Sequence, residues 1–180
     1  MFILGIIILV IAVFLVGMFN SLVVKRNRVR EAFSHIDVQL KRRAALIPNL
    51  VEAVKGYVKH EKSVLEEVTK ARAALVGASS KSDKAKANDM LSGALKSLFA
   101  VAEAYPNLKA SDNFKELQTE LADTEDKVAA SRQFYNTNVL DFNTLIETFP
   151  GAVFASMFGF NKEEFFKAEE SERADVKVTF

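Results

Sequence analysis

The sequence predicts an all-α protein: a single N-terminal transmembrane helix followed by an antiparallel four-helix bundle with coiled-coil-like packing. Three observations carry this prediction. The first 24 residues, MFILGIIILVIAVFLVGMFNSLVV, contain no charged side chain. Beyond them, apolar residues recur at three- and four-residue steps over long stretches, which is the helix period. Only 7 Gly and 3 Pro interrupt 180 residues, and no stretch of any strength alternates with the strand period of two.

The first element is the membrane span. A helix crossing a hydrocarbon layer of roughly 30 Å needs about 20 apolar residues, and Phe2 to Phe19 with Leu22 to Val24 supply them. A cleaved signal peptide requires a basic leader, a shorter apolar core and a small-residue cleavage site. None is present, so residues 1–24 are expected to stay as an anchor. Lys25, Arg26, Arg28 and Arg30 follow the span directly. The positive-inside rule then places the N-terminus outside and the rest of the chain in the cytoplasm. The same four residues are candidates for contact with anionic lipid headgroups, beside the plainer role of stopping translocation.

The second element is a long amphipathic helix. Its stripe runs Phe33, Ile36, Leu40, Ala44, Ile47, Val51, Val54, Val58, Leu65, Val68 and Leu75, and Glu61 is the one clear gap. Within it, QLKRRAALIPNLV combines a basic run with a mid-helix proline. The stripe keeps its phase across Pro48, which predicts one helix from near Lys25 to near Val76, bent at Pro48. A break there, with Pro48 opening a new helix, is the other reading.

Gly77 to Lys84 reads as a loop, with Gly77 ending one helix and Ser80 or Ser82 capping the next. A shorter helix follows, with Met90, Leu91, Ala94, Leu95, Leu98 and Ala102 on one side, and it stops near Tyr105-Pro106. YPNLKASDN reads as a second turn, with Ser111 or Asp112 as the next cap. The third bundle helix carries Phe114, Leu117, Leu121, Val128, Tyr135, Val139, Phe142 and Ile146, with Thr124 and Ser131 or Arg132 at intermediate turns, and ends at Phe149-Pro150-Gly151. GAVFASMFGFNKEEFF reads as a short helix and a turn; Phe154, Phe158 and Phe160 either close the end of the bundle or meet a membrane or a partner. The organisation is thus an anchor over 1–24, a bundle domain over 25–168 and a polar tail over 169–180.

Composition excludes several chemistries. Cysteine is absent, which removes disulfides, thiol catalysis and thiolate zinc sites. A net charge of +1 gives no global attraction to nucleic acid. The two histidines, His35 and His60, would stand about 37 Å apart on one straight helix at about 1.5 Å per residue. Neither follows a Glu by three residues, as a di-metal bundle requires, and His60-Glu61 lacks the second His of a metalloprotease motif. There is no glycine-rich phosphate loop and no nucleophile elbow. Lys41, Arg42 and Arg43 read as a solvated helix face, with Asp37 and Lys41 paired at i, i+4, or else as a phosphate or lipid contact. Asn49, Asn136, Asn138 and Asn143 lie near the stripes and are candidates for cross-helix hydrogen bonds that set register. No catalytic, cofactor-binding or metal residue is assigned, and no cofactor is expected.

Arg26 to Glu61, RNRVREAFSHIDVQLKRRAALIPNLVEAVKGYVKHE, resembles the LemA family. So do Glu103 to Val128, RQFYNTNV from Arg132 to Val139, and the Phe149-Pro150 turn. Phe19-Asn20 and Phe142-Asn143 depart from it, standing where Tyr-Asn is expected. The resemblance implies a mainly bacterial family with an N-terminal anchor and a four-helix bundle, with no established enzymatic activity and no functional residues to carry over; together with the anchor and its basic flank, the expected place is the bacterial inner membrane. The expectation is a non-enzymatic scaffold or interaction module; the alternative is a ligand-binding or enzymatic bundle with a site between helices. A first helix reaching Val76 would exceed its partners in length and leave part of its stripe uncovered, which predicts self-association or docking to other membrane proteins.

Overall fold

The computed structural model describes residues 1–57 and 61–166. Val58, His60 and the tail over 169–180 lie outside the described residues. Six helices and no strand are found among the described residues: α1 (Phe2–Lys55), α2 (Lys62–Gly77), α3 (Lys81–Ala102), α4 (Pro106–Ala110), α5 (Asp112–Glu147) and α6 (Gly151–Phe158). The all-α prediction holds. The chain divides into two compact units, and α1 and α5 each contribute to both.

One unit holds Asp37–Ala130. Its share of α1 buries Leu40, Ile47, Leu50 and Val54, spaced by three and four residues along one face. α2 runs antiparallel to that segment: Arg72 meets Ala44, while Leu65 and Thr69 border Val51 and Lys55. α3 runs parallel to it, with Lys84 at Asp37 and Ser92 at Arg43. α5 returns antiparallel to α3, with Phe114 against Phe99 and Glu125 against Ser92. These four helices form an up-down-up-down bundle. Local signals place their ends. Ser80 accepts the Asp83 amide at 3.0 Å as N-cap, and Gly77 is the last residue of α2. The predicted turn at YPNLKASDN contains α4, which begins with Pro106 and buries Leu108 completely.

The structure departs from two expectations. The first bundle helix does not reach Val76. α1 passes through Pro48 without a break, ends at Lys55, turns at Gly56-Tyr57, and α2 restarts at Lys62. The phase survived because α1 and α2 present their stripes to the same core; the gap at Glu61, the residue preceding α2, marked the reversal. Because the helix is shorter than expected, its stripe is covered by its own chain. Ile36, Leu40, Ala44, Ile47, Val51 and Val54 are all buried, as are Leu65, Val68 and Leu75. Among the described residues, the uncovered stripe that predicted self-association is therefore not found.

The other unit holds Met1–Ile36 and Ser131–Phe165. α5 runs antiparallel to α1, with Tyr135 against Phe33 and Asp141 paired to Lys25 at 2.6 Å. Leu22, Val29, Ala32 and Ile36 of α1 and Tyr135, Val139, Phe142 and Ile146 of α5 form its core. α6 turns under the end of α5, where a Cβ at Gly151 would sit 1.9 Å from the Leu145 carbonyl oxygen, so only glycine fits. Gly159 ends α6 in the left-handed conformation at φ 70°, which glycine adopts without steric cost. α1 is the one described helix long and apolar enough to cross a membrane.

Candidate functional site

The main concentration of buried polar groups lies inside the Asp37–Ala130 unit, and Arg43 is at its centre. Arg43 occupies a core position of α1 between Leu40 and Ile47, and its side chain is 1% exposed. One guanidinium nitrogen donates to Asn88 Oδ1 at 2.7 Å and to Ser92 Oγ at 3.1 Å. The other donates to Glu125 Oε2. Ser92 Oγ in turn donates a hydrogen bond to Glu125 Oε1 at 3.1 Å. Next to Glu125, Thr124 is fully buried and returns its hydroxyl to the Leu121 carbonyl at 2.8 Å. Arg43 Nε has no hydrogen-bond partner among the described residues.

Burial pushes the Arg43 pKa below the ordinary arginine value, and the carboxylates of Glu125 and Asp89 oppose that shift. Arginine remains protonated throughout the physiological range, so the cluster is a buried cation held by one carboxylate and two neutral acceptors. Glu125 is half exposed; its charge stays solvated while its oxygens close the network. The arrangement ties α1, α3 and α5 to one register.

The basic run is therefore divided. Lys41 is exposed and pairs with Asp37 at 2.8 Å, as expected. Arg42 lies at the surface between Glu120 and Asp123, at 3.9 and 3.8 Å. Arg43 is not on a solvated face. Asp37 also holds Lys84, and the two lysines, Lys41 first, keep its carboxyl below the usual carboxylate range.

The mid-helix proline has its own compensation. Proline cannot donate to the carbonyl four residues before it. For Pro48 that carbonyl is Ala44, and Arg72 Nε of α2 donates to it at 2.9 Å. No feature of the sequence had linked Arg72 to Pro48.

The asparagines behave unequally. Asn143 accepts the Glu163 amide and donates to the Glu163 carbonyl, both at 2.9 Å, and Tyr135 donates to the Glu164 carbonyl at 2.8 Å. The segment after α6 is thereby fastened to α5. Asn138 bonds back to the Phe134 carbonyl within its own helix, Asn136 is half-buried, and Asn49 is exposed. His35 is exposed, with its ring 6.4 Å from Phe134. Among the described residues no three His, Asp or Glu side chains converge as a metal site would require. Of the four basics after the charge-free run, Lys25 pairs with Asp141 and Arg26 lies over the Phe160 ring at 4.8 Å, while Arg28 and Arg30 are exposed.

The family model described as LemA family matches residues 32–180. Protein LemA of Metamycoplasma hominis is 32% identical over 168 residues, covering 91% of this chain and 75% of that protein. The magnetosome protein MamQ of Magnetospirillum gryphiswaldense is 24% identical over 174 residues, covering 82% of this chain and 64% of that protein. Magnetosome protein MamQ 2 of Paramagnetospirillum magneticum is 35% identical over 74 residues, 41% of this chain and 27% of that one. The family-model match over residues 32–180 and the 32% identity across 91% of the chain lead to one assignment: this chain belongs to the LemA family.

Proposed function

We propose that the protein is a single-pass, membrane-anchored helical bundle that acts as a non-enzymatic scaffold or interaction module. Its N-terminus lies outside and its bundle in the cytoplasm, in a bacterial inner membrane. The observation that carries the reading is the charge-free run of residues 1–24 continuing, as the same helix, past Lys25, Arg26, Arg28 and Arg30 into a packed bundle. The partners are the bilayer, through 1–24, and copies of itself or other membrane proteins. With the α1 stripe covered, self-association is supported by the confinement of anchored copies to one plane, which raises their effective concentration. A ligand site between helices is the second reading, and the Arg43 cluster is its one support. There the guanidinium already directs its terminal nitrogens to Asn88, Ser92 and Glu125.

Cross-linking in intact membranes, followed by affinity purification of the full chain, tests the module reading. The expected result is a reproducible cross-linked protein, either a second copy or another membrane protein. Recovery of none, together with saturable small-molecule binding that Arg43→Met abolishes, would transfer the proposal to the ligand reading. For topology, a C-terminal reporter active only in the cytoplasm is expected to be active; activity of a periplasmic reporter instead would reverse the orientation.

A further inference from the structure

We propose that α6 and the turn before it enter the bilayer beside α1, so that the protein meets acyl chains at a second, non-spanning element. The inference rests on the anchoring reading above. Two ring contacts set α6 against the charge-free stretch of α1, Phe154 with Phe14 at 6.3 Å and Phe158 with Phe19 at 5.0 Å, and Phe160, just past α6, adds a third with Phe19 at 6.1 Å. At about 1.5 Å per residue, Phe14 lies about 16 Å along the helix axis from Lys25, toward the middle of a hydrocarbon layer roughly 30 Å thick. A side chain touching Phe14 shares that depth. At the other end of α6, Phe160 sits beneath Arg26 of the basic collar. α6 thus runs alongside the stretch of α1 that the membrane would enclose.

Its chemistry suits that place. From Thr148 to Phe160 there is no charged residue. One face packs inward through Phe154 and Ala155. The other leaves Phe149 (86%), Val153 (52%), Met157 (66%) and Phe158 (49%) exposed. Apart from the Ser156 hydroxyl, the exposed face of α6 is apolar and uncharged, which calls for an apolar surrounding, and the contact with the charge-free stretch of α1 makes lipid its natural continuation. Backbone donors must also be met in hydrocarbon. Pro150 has none, Ala152 donates to the Thr148 carbonyl at 2.8 Å, Val153 to Pro150 at 3.1 Å and Phe160 to Ala155 at 2.9 Å. The nearest flanking charges, Glu147 and Lys162, pair with each other at 2.6 Å.

The chain has no cysteine, so single introduced cysteines carry a nitroxide at one site only. Full-length protein in liposomes is labelled at Val153→Cys, Met157→Cys, Ile8→Cys as the span reference, and Glu116→Cys as the aqueous reference. Relaxation by oxygen, which concentrates in lipid, is compared with relaxation by a water-soluble nickel chelate. The expected result is high oxygen and lost nickel accessibility at 153 and 157, matching Ile8. Nickel accessibility at 153 and 157 with Ile8 shielded would overturn the inference and leave the anchor intact. Shielding from both agents would assign the face to protein rather than lipid and also overturn it. Nickel accessibility at Ile8 as well would remove the anchoring reading and this inference with it.

Discussion

If Arg72 replaces the hydrogen bond that Pro48 cannot make, the two residues are energetically coupled although they lie on different helices. Ala44, whose carbonyl is at issue, is 4% exposed, so water does not substitute for a lost donor. Arg72→Met keeps the aliphatic stem and removes the donor. It leaves a buried carbonyl unmet, at a cost of about 1–3 kcal/mol. Pro48→Ala supplies a backbone N–H to the same oxygen. It also frees the unfolded chain, which offsets about 0.4–1 kcal/mol of the gain. With the N–H restored, Arg72→Met forfeits only a second donor to an already bonded oxygen, less than about 1 kcal/mol. The double-mutant cycle then gives a coupling of about 1–2 kcal/mol, with Pro48→Ala rescuing Arg72→Met. Urea unfolding of the full chain in detergent micelles, followed by helical circular dichroism, measures all four states. An equal cost for Arg72→Met with and without Pro48→Ala would refute the reasoning, because additivity means the two residues do not serve the same oxygen.

Three further outcomes are expected. Arg43→Met, which places an apolar chain of similar length in a core position, costs less stability than Glu125→Ala, which leaves the buried guanidinium without its carboxylate; a partnerless buried charge costs about 3–5 kcal/mol, here reduced because Glu125 is half exposed, and the reverse order in urea midpoints would show that Arg43 is not held as a buried cation. Asp37 has a folded pKa below its unfolded value of about 3.9, so its contribution is present above that value and is lost as pH falls through the lower folded one. Asp37→Asn should therefore flatten the acid loss of stability below about pH 4 and leave the slope between pH 6 and 8 unchanged; a parallel acid limb in pH-dependent unfolding would contradict the assignment to Lys41 and Lys84. Gly151→Ala puts a Cβ against the Leu145 carbonyl oxygen and should destabilise by about 1–3 kcal/mol, read as a lowered thermal midpoint, whereas Gly93→Ala, with nothing near its Cβ, should not.

Much of the helical architecture was legible in the residues because it follows from period and punctuation. The charge-free run, the stripes of α3 and α5, the Ser80 cap and the stops at Gly77 and Pro150 are local properties, each set within one turn or loop. The end of α1 was less legible. Gly56 and the gap at Glu61 marked it, but the stripes on either side shared a phase because both helices face one core. Arg43 left a partial signal. It shares the spacing of Leu40, Ile47 and Leu50, and its partners Asn88 and Ser92 share the spacing of the buried Ala85, Leu91 and Leu95 on α3. A basic residue at core spacing, with polar residues at core spacing on other helices, is the pattern of a buried network.

By itself the sequence determined that the chain is helical, which faces of its long helices are apolar, and that the first 24 residues carry no charge. Period and composition are properties of a single strand of residues, and hydrophobic burial responds to them without regard to which partner covers the face. The tertiary structure alone decided the pairings. It took the reversal after Lys55 to bring Arg72 to the level of the Ala44 carbonyl, and the order of α1, α3 and α5 to surround Arg43 with Asn88, Ser92 and Glu125. It also took the turn at Gly151 to set α6 against Phe14 and Phe19. A hydrogen bond or ion pair depends on distances of about 3 Å and on direction. Those are fixed by how far each helix runs before it turns back, and residue spacing along one helix does not contain that information.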